Sequence, residues 1–444
     1  MYFHMNQILD ALRLIKRLPR LKLVLSLILI SGFAEAFGIS VLVPVVTSLL
    51  GESLNVEQAG FPFDIIPKIL LFIGLPLDFS YILFIVLIFM LVSFLTVFLQ
   101  ERIAAISRYD FLQILRDTAM NKLLYSKWKY LGNISTGELS NKLLIESEKS
   151  AEAVVAVVLM ISFFVQLLVY IVLAFLLSWN LSLIAIFTLG LAAYTSKRLI
   201  SRVHNFGKKS VNANNAYNRQ IIDVFKGSKL VRSFAIESYI LARLKKLNTQ
   251  ATSVQAKILI NQSLMKFEIQ ALISCALVLI LFIAVTFLKT EVSTLLVFLY
   301  IVLRVAPKFF SFQGQLHSFS ANSPSMSVVD QLIFESNQSK ENIHLQLSEF
   351  KGLNHSLKLT NVSFQYEDQE ALVLENVSLD IYKNDFIAIV GPSGSGKSTL
   401  IDILLGLLTP TFGDIQLDGR NLNELNLNDY RRKIGFVPQE SMLF

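Results

Sequence analysis

The chain has 444 residues, and a hydrophobic fraction of 53% with only 16% charged residues excludes an ordinary soluble protein. The net charge of +7 would suit a nucleic-acid binder, but the basic residues stand beside apolar runs, as the cytoplasmic flanks of membrane spans do, so no nucleic-acid partner is expected. Cys275 is the single cysteine, which excludes an internal disulfide framework.

Six apolar segments are each close to the length that a helix needs to cross a bilayer. The predicted spans are about 23–50, 81–99, 154–177, 181–196, 269–288 and 292–310. Ala34-Glu35-Ala36 in the first of them resembles a signal-peptide cleavage site, but the apolar stretch resumes at Ile39, which favours an uncleaved span. Residues 1–325 are therefore predicted to form an all-α transmembrane domain of six helices.

Lysine and arginine set the expected orientation of these spans. A basic cluster precedes the first span, whereas the segment 51–80 carries Lys68 as its one basic residue and is expected outside. The long segments 101–153 and 197–266 are mixed in charge or strongly basic and are expected inside. The prediction is an integral protein of a bacterial inner (plasma) membrane, with its N-terminus and C-terminal domain in the cytoplasm. The cluster before the first span is Arg13, Lys16, Arg17, Arg20 and Lys22.

The two long cytoplasmic segments are poor in proline and glycine and show helical periodicity. They are predicted to be spanning helices that continue well beyond the bilayer and are joined by short bends at 132–138 and 226–228. Most of their lysines suit a solvated surface that faces anionic lipid. The bends are expected to carry motion between the C-terminal domain and the spans.

Two charged residues fall inside predicted spans, and such residues are functional candidates by default. Arg304 lies in the sixth span with Pro307 a turn later, and it is a candidate for binding an anionic substrate headgroup. Glu35 lies in the first span and is a candidate for pairing with a basic residue elsewhere. The alternatives are that Arg304 extends to the inner membrane surface and that Glu35 is a buried structural partner.

After a polar linker at 326–346, residues 347–444 are predicted to form an α/β P-loop domain, because 391–398 fits the pattern G-x-x-x-x-G-K-[ST]. In such a loop the backbone N–H groups face phosphate oxygens, Lys397 reaches the terminal phosphates and the Ser398 hydroxyl binds magnesium. A buried parallel strand is predicted at 386–390 and a helix at 397–407; the alternative is a Gly/Ser-rich turn that binds nothing. The candidate nucleotide-binding residues of the loop are Gly391, Ser393, Gly394, Ser395, Gly396, Lys397, Ser398 and Thr399.

Six spans followed by a P-loop domain resemble a half-transporter of the ABC exporter family. Tyr366 stands where the family has its adenine-stacking aromatic, and Gln439 in Phe436-Val-Pro-Gln439 resembles the glutamine that touches magnesium. Residues 413–419 match the strand and turn between those motifs, and 136–139 resemble the first coupling-helix region. The resemblance implies ATP and Mg²⁺ as cofactors, and a dimer with a second half-transporter, expected to be an identical chain.

The family's signature motif, Walker B carboxylates and switch histidine would follow Gln439, and the sequence ends at Phe444 without them. We therefore expect a fragment whose P-loop domain is truncated after the glutamine motif. No catalytic set is complete within these 444 residues, so nucleotide binding without coupled hydrolysis is the expectation for this chain alone.

The sequence indicates the substrate less clearly than it indicates the family. Residues 37–44 and 304–307 resemble the exporters that flip lipid-linked oligosaccharides, and the apolar segment 61–77 suits a membrane-surface helix like the one that this subgroup carries. The interpretation is ATP-driven export or flipping of a lipid-linked or amphipathic substrate by alternating access. The alternatives are a general lipid or drug exporter, a truncated non-catalytic half, and a membrane-anchored P-loop regulator that does not transport.

Overall fold

The computed structural model of the protein describes residues 15, 18–40, 45–46, 79–341, 350–366 and 371–438. Two compact units divide the chain, one formed by 1–119 with 136–332 and the other by 120–135 with 333–444. We call them the helical unit and the P-loop unit. Several predicted features lie outside the described residues, namely the surface helix at 61–77, part of the linker at 342–346, and Gln439.

Six of the described helices are long and apolar enough to cross a membrane, so the predicted six-helix transmembrane architecture is confirmed. The spanning candidates are Leu21–Ser40, Leu83–Leu124, Thr136–Leu177, Trp179–Lys226, Glu237–Leu288 and Val292–Gln338. The helices are α1 (Leu21–Ser40), α2 (Phe79–Leu124), α3 (Trp128–Gly132), α4 (Thr136–Asn141), α5 (Ser147–Leu177), α6 (Trp179–Lys226), α7 (Ser228–Ser233), α8 (Glu237–Ile283) and α9 (Val292–Gln338).

Four of these helices are much longer than a bilayer requires. They contain 46 residues in α2, 48 in α6, 47 in α8 and 47 in α9. At 1.5 Å per residue each is about 70 Å long, roughly twice the ~30 Å hydrocarbon core. The predicted extension beyond the membrane is therefore confirmed. The bends are also where the sequence predicts them, between α3 and α4 and between α6 and α7.

The core of the helical unit lies where the long helices pack on one another. Tyr170, Leu181, Met265, Ile280 and Phe298 are almost fully buried there. Large apolar side chains on the opposite helix faces remain exposed, as expected of a surface that contacts lipid rather than water.

The P-loop unit contains a four-stranded antiparallel sheet of β1 (Ser356–Phe364), β2 (Leu374–Tyr382), β3 (Phe412–Leu417) and β4 (Arg420–Asn421). The strand order is β2-β1-β3-β4. Its third and fourth strands are joined by Asp418 and Gly419, whose φ angles of 48° and 80° suit a two-residue hairpin turn. The strand and turn predicted at 413–419 are thus present. The unit also contains the helices α10 (Lys397–Leu404) and α11 (Leu427–Arg431).

The prediction of a buried parallel strand at 386–390 is wrong for this structure. The segment belongs to no strand, and the side chains of Phe386 and Val390 are 100% and 89% exposed. A parallel strand requires a hydrogen-bonded neighbour, and in the described part of this unit the four strands pair only with one another, antiparallel.

The helix predicted to follow the P-loop begins at Lys397 but ends at Leu404 rather than at 407. Gly406 adopts φ 66°, Gly406 N–H donates to Ile403 O, and Leu407 N–H donates to Asp402 O. This pair of bonds is a Schellman motif, which closes a helix and satisfies its last carbonyls.

Candidate functional site

The P-loop curls because two of its glycines adopt backbone angles that other residues avoid. Gly394 and Gly396 have φ of 85° and 84°. A Cβ on Gly396 would lie 2.7 Å from Leu374 Cδ2 and 2.9 Å from Val373 O, so the loop passes the start of β2 too closely for any larger residue. Helix α10 begins at the next residue, and its free N–H groups and dipole favour an anion at that end.

The Lys397 ammonium lies within the loop and is held by neutral oxygen atoms. Lys397 Nζ is 2.9 Å from Gly391 O, 2.7 Å from Pro392 O and 3.4 Å from Ser395 Oγ. Among the described residues no carboxylate lies within ion-pair distance of Lys397. An uncompensated cation beside a helix N-terminus is the electrostatic arrangement that binds phosphate.

The other hydroxyl residues of the loop are arranged differently. The side chains of Ser393 and Ser398 are exposed, so the Ser398 hydroxyl is accessible to a magnesium ion on the first turn of α10. Thr399 is buried, and its Oγ1 lies 3.4 Å from the Tyr366 hydroxyl. The second predicted magnesium ligand, Gln439, is outside the described residues.

Tyr366 follows β1 and lies against the P-loop helix although 33 residues separate it from Thr399. Its ring packs edge-to-face on Phe364 with centroids 4.9 Å apart, which fixes the orientation of the ring beside α10. The structure thus brings Tyr366, Lys397 and the loop into one part of the P-loop unit.

The carboxyl end of α10 has two side-chain partners that the sequence did not indicate. Tyr430 donates a hydrogen bond of 2.6 Å to Leu404 O, and burial raises the pKa of that phenol to about 12. Arg431 donates to Leu405 O at 3.3 Å and to Gly406 O at 2.6 Å. A cation is favourable at this end because the helix dipole is negative there. Two residues of α11 therefore contact the carboxyl end of α10, which is the end away from the P-loop.

The predicted coupling bend contacts α6 closely. Glu138 pairs with Arg219 at 2.8 Å and with Lys142 at 2.9 Å. A Cβ on Gly137 would lie 2.9 Å from the Cα of Arg219, so the backbones of α4 and α6 nearly touch. Lys226, at the end of α6, donates to Thr136 Oγ1 at 3.0 Å. The first bend is thereby tied to the residues that precede the second.

Within the spans, Glu35 has the basic partner that its position predicts. Lys308 Nζ lies 3.0 Å from Glu35 Oε1, and both side chains are largely buried. The Ser93 hydroxyl also donates to the same carboxylate oxygen at 3.2 Å. Sequence reasoning missed Lys308, although its position one helical turn after Arg304 is a usable signal.

Arg304 is oriented by aromatic groups. Its Nε donates to the Tyr300 hydroxyl at 2.9 Å, and its guanidinium carbon is 5.3 Å from the Tyr300 ring centroid and 5.8 Å from that of Phe94. No carboxylate lies within ion-pair distance of Arg304 in the part of the chain that the structure describes. Arg304 and Glu35 line the same narrow cavity of about 20 Å³, which has room for one water molecule.

A larger cavity of about 730 Å³ lies in the helical unit, lined by residues of α2, α5, α6, α8 and α9. Apolar residues such as Leu159, Phe163 and Phe310 share its wall with polar ones such as Gln262 and Gln315. A cavity with both kinds of wall suits an amphipathic molecule.

Comparison with known proteins agrees with this architecture. Residues 21–305 match the ABC transporter transmembrane region, and residues 374–444 match the domain described as ABC transporter. A bacterial Atm1-family ABC exporter with ATP bound superposes with a TM-score of 0.68 at 16% identity, covering 99% of this chain and 72% of that one. At that identity the likeness concerns the fold.

Two curated relatives are similar in sequence. The heterocyst differentiation ATP-binding protein HepA of Nostoc sp. is 26% identical over 71% of this chain and 51% of its own length. An ATP-dependent lipid A-core flippase of Pseudoalteromonas translucida is 26% identical over 74% of this chain and 57% of its own length. The chain thus spans little more than half the length of these two relatives.

Proposed function

Because the chain belongs to the ABC transporter family, whose transmembrane region matches residues 21–305, we propose that it is half of an ATP-driven exporter for a lipid-linked or other amphipathic substrate. The proposal depends most on one observation, the uncompensated Lys397 ammonium inside a P-loop that opens helix α10. A loop of this kind binds phosphate groups. Six helices of the same chain are long and apolar enough to cross a membrane, so phosphate binding is proposed to drive transport across it.

In this proposal the loop residues 391–399 bind the phosphates of ATP, and Tyr366 stacks on adenine. The Ser398 hydroxyl would hold Mg²⁺ together with Gln439, and the bound ion would supply positive charge that offsets the charge of the phosphates. Lys397 exchanges its present bonds to Gly391 O and Pro392 O for bonds to phosphate oxygens, which are charged and therefore stronger acceptors.

The working unit is a dimer with a second half-transporter, an identical chain in the simplest case, and the nucleotide domain lies on the cytoplasmic side. Nucleotide binding moves the bends at 132–138 and 226–228, and the spans alternate between inward-facing and outward-facing arrangements. The contacts of Glu138 with Arg219 and of Lys226 with Thr136 support this step, since they make the two bends respond together.

The substrate is proposed to carry an anionic headgroup and an apolar tail. Arg304 has no carboxylate partner in the described part of the chain, and an unpaired cation among spans attracts an anion. A separate cavity of about 730 Å³, which Arg304 does not line, has apolar and polar walls that suit the two parts of such a molecule. One similar protein is named an ATP-dependent lipid A-core flippase, and a lipid of that kind belongs to the proposed substrate class.

The test is ATP-dependent movement of fluorescently labelled phosphatidylglycerol between leaflets of proteoliposomes, with a full-length version that includes the signature, Walker B and switch-histidine motifs that hydrolysis is expected to need. The Lys397→Ala variant should bind ATP more weakly and lose transport, while still inserting in the membrane. The control is Lys383→Ala, which removes an exposed lysine of the same unit. Transport by Lys397→Ala at the wild-type rate would overturn the proposed mechanism.

A further inference from the structure

Arg431 joins the P-loop helix to the segment that leaves α9. Its guanidinium donates to Leu405 O and Gly406 O. It also forms a bidentate ion pair with Glu341, in which Nη1 donates to Oε2 at 2.8 Å and Nη2 donates to Oε1 at 2.5 Å. The two side chains are 25% and 19% exposed, so solvent screens the pair only in part. The planar guanidinium matches a carboxylate in this geometry, which a lysine cannot reproduce.

Glu341 is itself fixed by the ends of two long helices. It follows the last residue of α9 by three positions, and its backbone N–H donates to Tyr125 O at 2.9 Å, just after α2. Around it Lys127 N–H donates to Ser339 O at 2.8 Å, and Lys122 Nζ donates to Asn337 Oδ1 at 2.7 Å. The position of Glu341 therefore depends on the C-terminal ends of α2 and α9, which these hydrogen bonds join.

We propose that Glu341 and Arg431 are positioning residues that transmit occupancy of the P-loop to the ends of α2 and α9. The inference rests on the proposed function, because it assumes that phosphates bind at the N-terminus of α10. That helix has eight residues and is about 12 Å long. Leu405 and Gly406 directly follow this helix and are hydrogen-bonded back to it, so a tilt of the helix at Lys397 shifts the carbonyl oxygens that accept from Arg431.

The opposing interpretation is that the pair only stabilises the P-loop unit. The two interpretations differ in what nucleotide does at a distance. If the pair only stabilises the unit, weakening the pair leaves the effect of nucleotide on hydrogen exchange of residues 333–341 unchanged. If the pair transmits occupancy, weakening the pair abolishes that effect although the P-loop still binds nucleotide.

The experiment uses the full-length protein in lipid nanodiscs and two measurements. The affinity for a non-hydrolysable ATP analogue with Mg²⁺ is measured by fluorescence, and hydrogen exchange of residues 333–341 is measured with and without that analogue. In the wild type we expect nucleotide to slow exchange of this segment by about tenfold, which is the scale of one charge-assisted pair. Glu341→Gln and Arg431→Lys should keep affinity within about threefold but lose most of the slowing.

Two further variants separate transmission from folding. Glu341→Asp keeps a carboxylate and should recover part of the response. Asp380→Asn is the matched control, because it weakens the ion pair of Lys358 and Asp380 across β1 and β2 in the same unit and should change neither measurement. A wild-type response in Glu341→Gln, or no response in a wild-type protein that binds nucleotide, overturns the inference alone. A wild-type protein that binds no nucleotide overturns the proposed function as well.

Discussion

Lys308 lies 3.0 Å from Glu35, so the carboxylate of the first span is compensated by a lysine of the last. Arg304 stands one helical turn before Lys308 on the same helix and retains its charge without such a partner in the described part of the chain. The three charged groups together therefore carry one net positive charge within the helical unit. Arg304 is partly exposed, so its charge is available to the anionic headgroup of the proposed substrate.

Replacing Arg304 should alter substrate preference more than general activity. Arg304→Gln is expected to slow ATP-dependent flipping of anionic phosphatidylglycerol by about tenfold, because it removes the unpaired cation. Flipping of neutral phosphatidylcholine should change little. Arg243→Gln, on an exposed site of α8, serves as the control. Equal losses for the two lipids would contradict an anion-binding role.

Removing the carboxylate of Glu35 should leave the Lys308 ammonium buried without its ion-pair partner. Glu35→Gln is therefore expected to lower stability by about 3 kcal/mol. The double variant with Lys308→Gln should cost less than the sum of the single variants, since it removes both charges. Thermal unfolding of the detergent-purified protein measures all three, and additive losses would show that the two residues do not interact.

The close approach at Gly137 predicts a steric effect. In Gly137→Ala the new methyl would lie 2.9 Å from the Cα of Arg219, so α4 and α6 must separate. We expect a destabilisation of about 1–3 kcal/mol, typical of overpacking. Gly190→Ala in α6 is the matched control, because nothing lies within 4 Å of its added Cβ and alanine favours a helix. A Gly137→Ala protein as stable as that control would be inconsistent with the observed contact.

Tyr366 provides a test of the adenine side of the site. If its ring stacks on adenine, Tyr366→Ala should weaken ATP binding by about tenfold, while Tyr366→Phe retains most of the affinity. The hydroxyl contact with Thr399 is then secondary. A loss in the phenylalanine variant equal to that in the alanine variant would instead assign the role to the hydroxyl.

Asp418 makes part of the P-loop unit sensitive to acid. Slight burial would raise the pKa of its carboxyl, but hydrogen bonds from the backbone N–H groups of Asn354, His355 and Ser356 lower that pKa below the ordinary 3.8. The carboxylate therefore contributes stability above pH 3.8, and this contribution is lost as the pH falls through the lower folded-state pKa.

Asp418→Asn tests this dependence, because asparagine tolerates the φ of 48° at this position and cannot ionise. At pH 7 the variant should unfold at lower urea concentration than the wild type. The difference should shrink as the pH falls below about 4. Exchange of the backbone amides of residues 354–356, measured across this pH range, reports the same change locally. A difference independent of pH would exclude the carboxylate as its source.

The parts of this protein that were readable from sequence depend on residues close together in the chain. The P-loop octapeptide, the start of α10 at Lys397 and the Asp418-Gly419 turn are all set by neighbours within a few positions. Helix lengths followed from unbroken periodicity and the scarcity of glycine and proline in α6 and α8.

What sequence reasoning missed depends on distant partners. Arg431 and Glu341 are 90 residues apart, and neither has a local pattern that names the other. The segment 386–390 has the composition of a buried strand, but strand formation requires a neighbouring strand as well as apolar residues. Its exposure shows that local propensity alone does not create a sheet.

The lengths of α6 and α8 have a mechanical consequence. Each is a continuous rod of about 70 Å, and a tilt of only about 5° about one end displaces the other end by about 6 Å. A displacement comparable to one helical pitch can thus arise without breaking a single hydrogen bond inside either rod. Amplification of this kind requires stiffness, which is consistent with the absence of proline from α6 and α8.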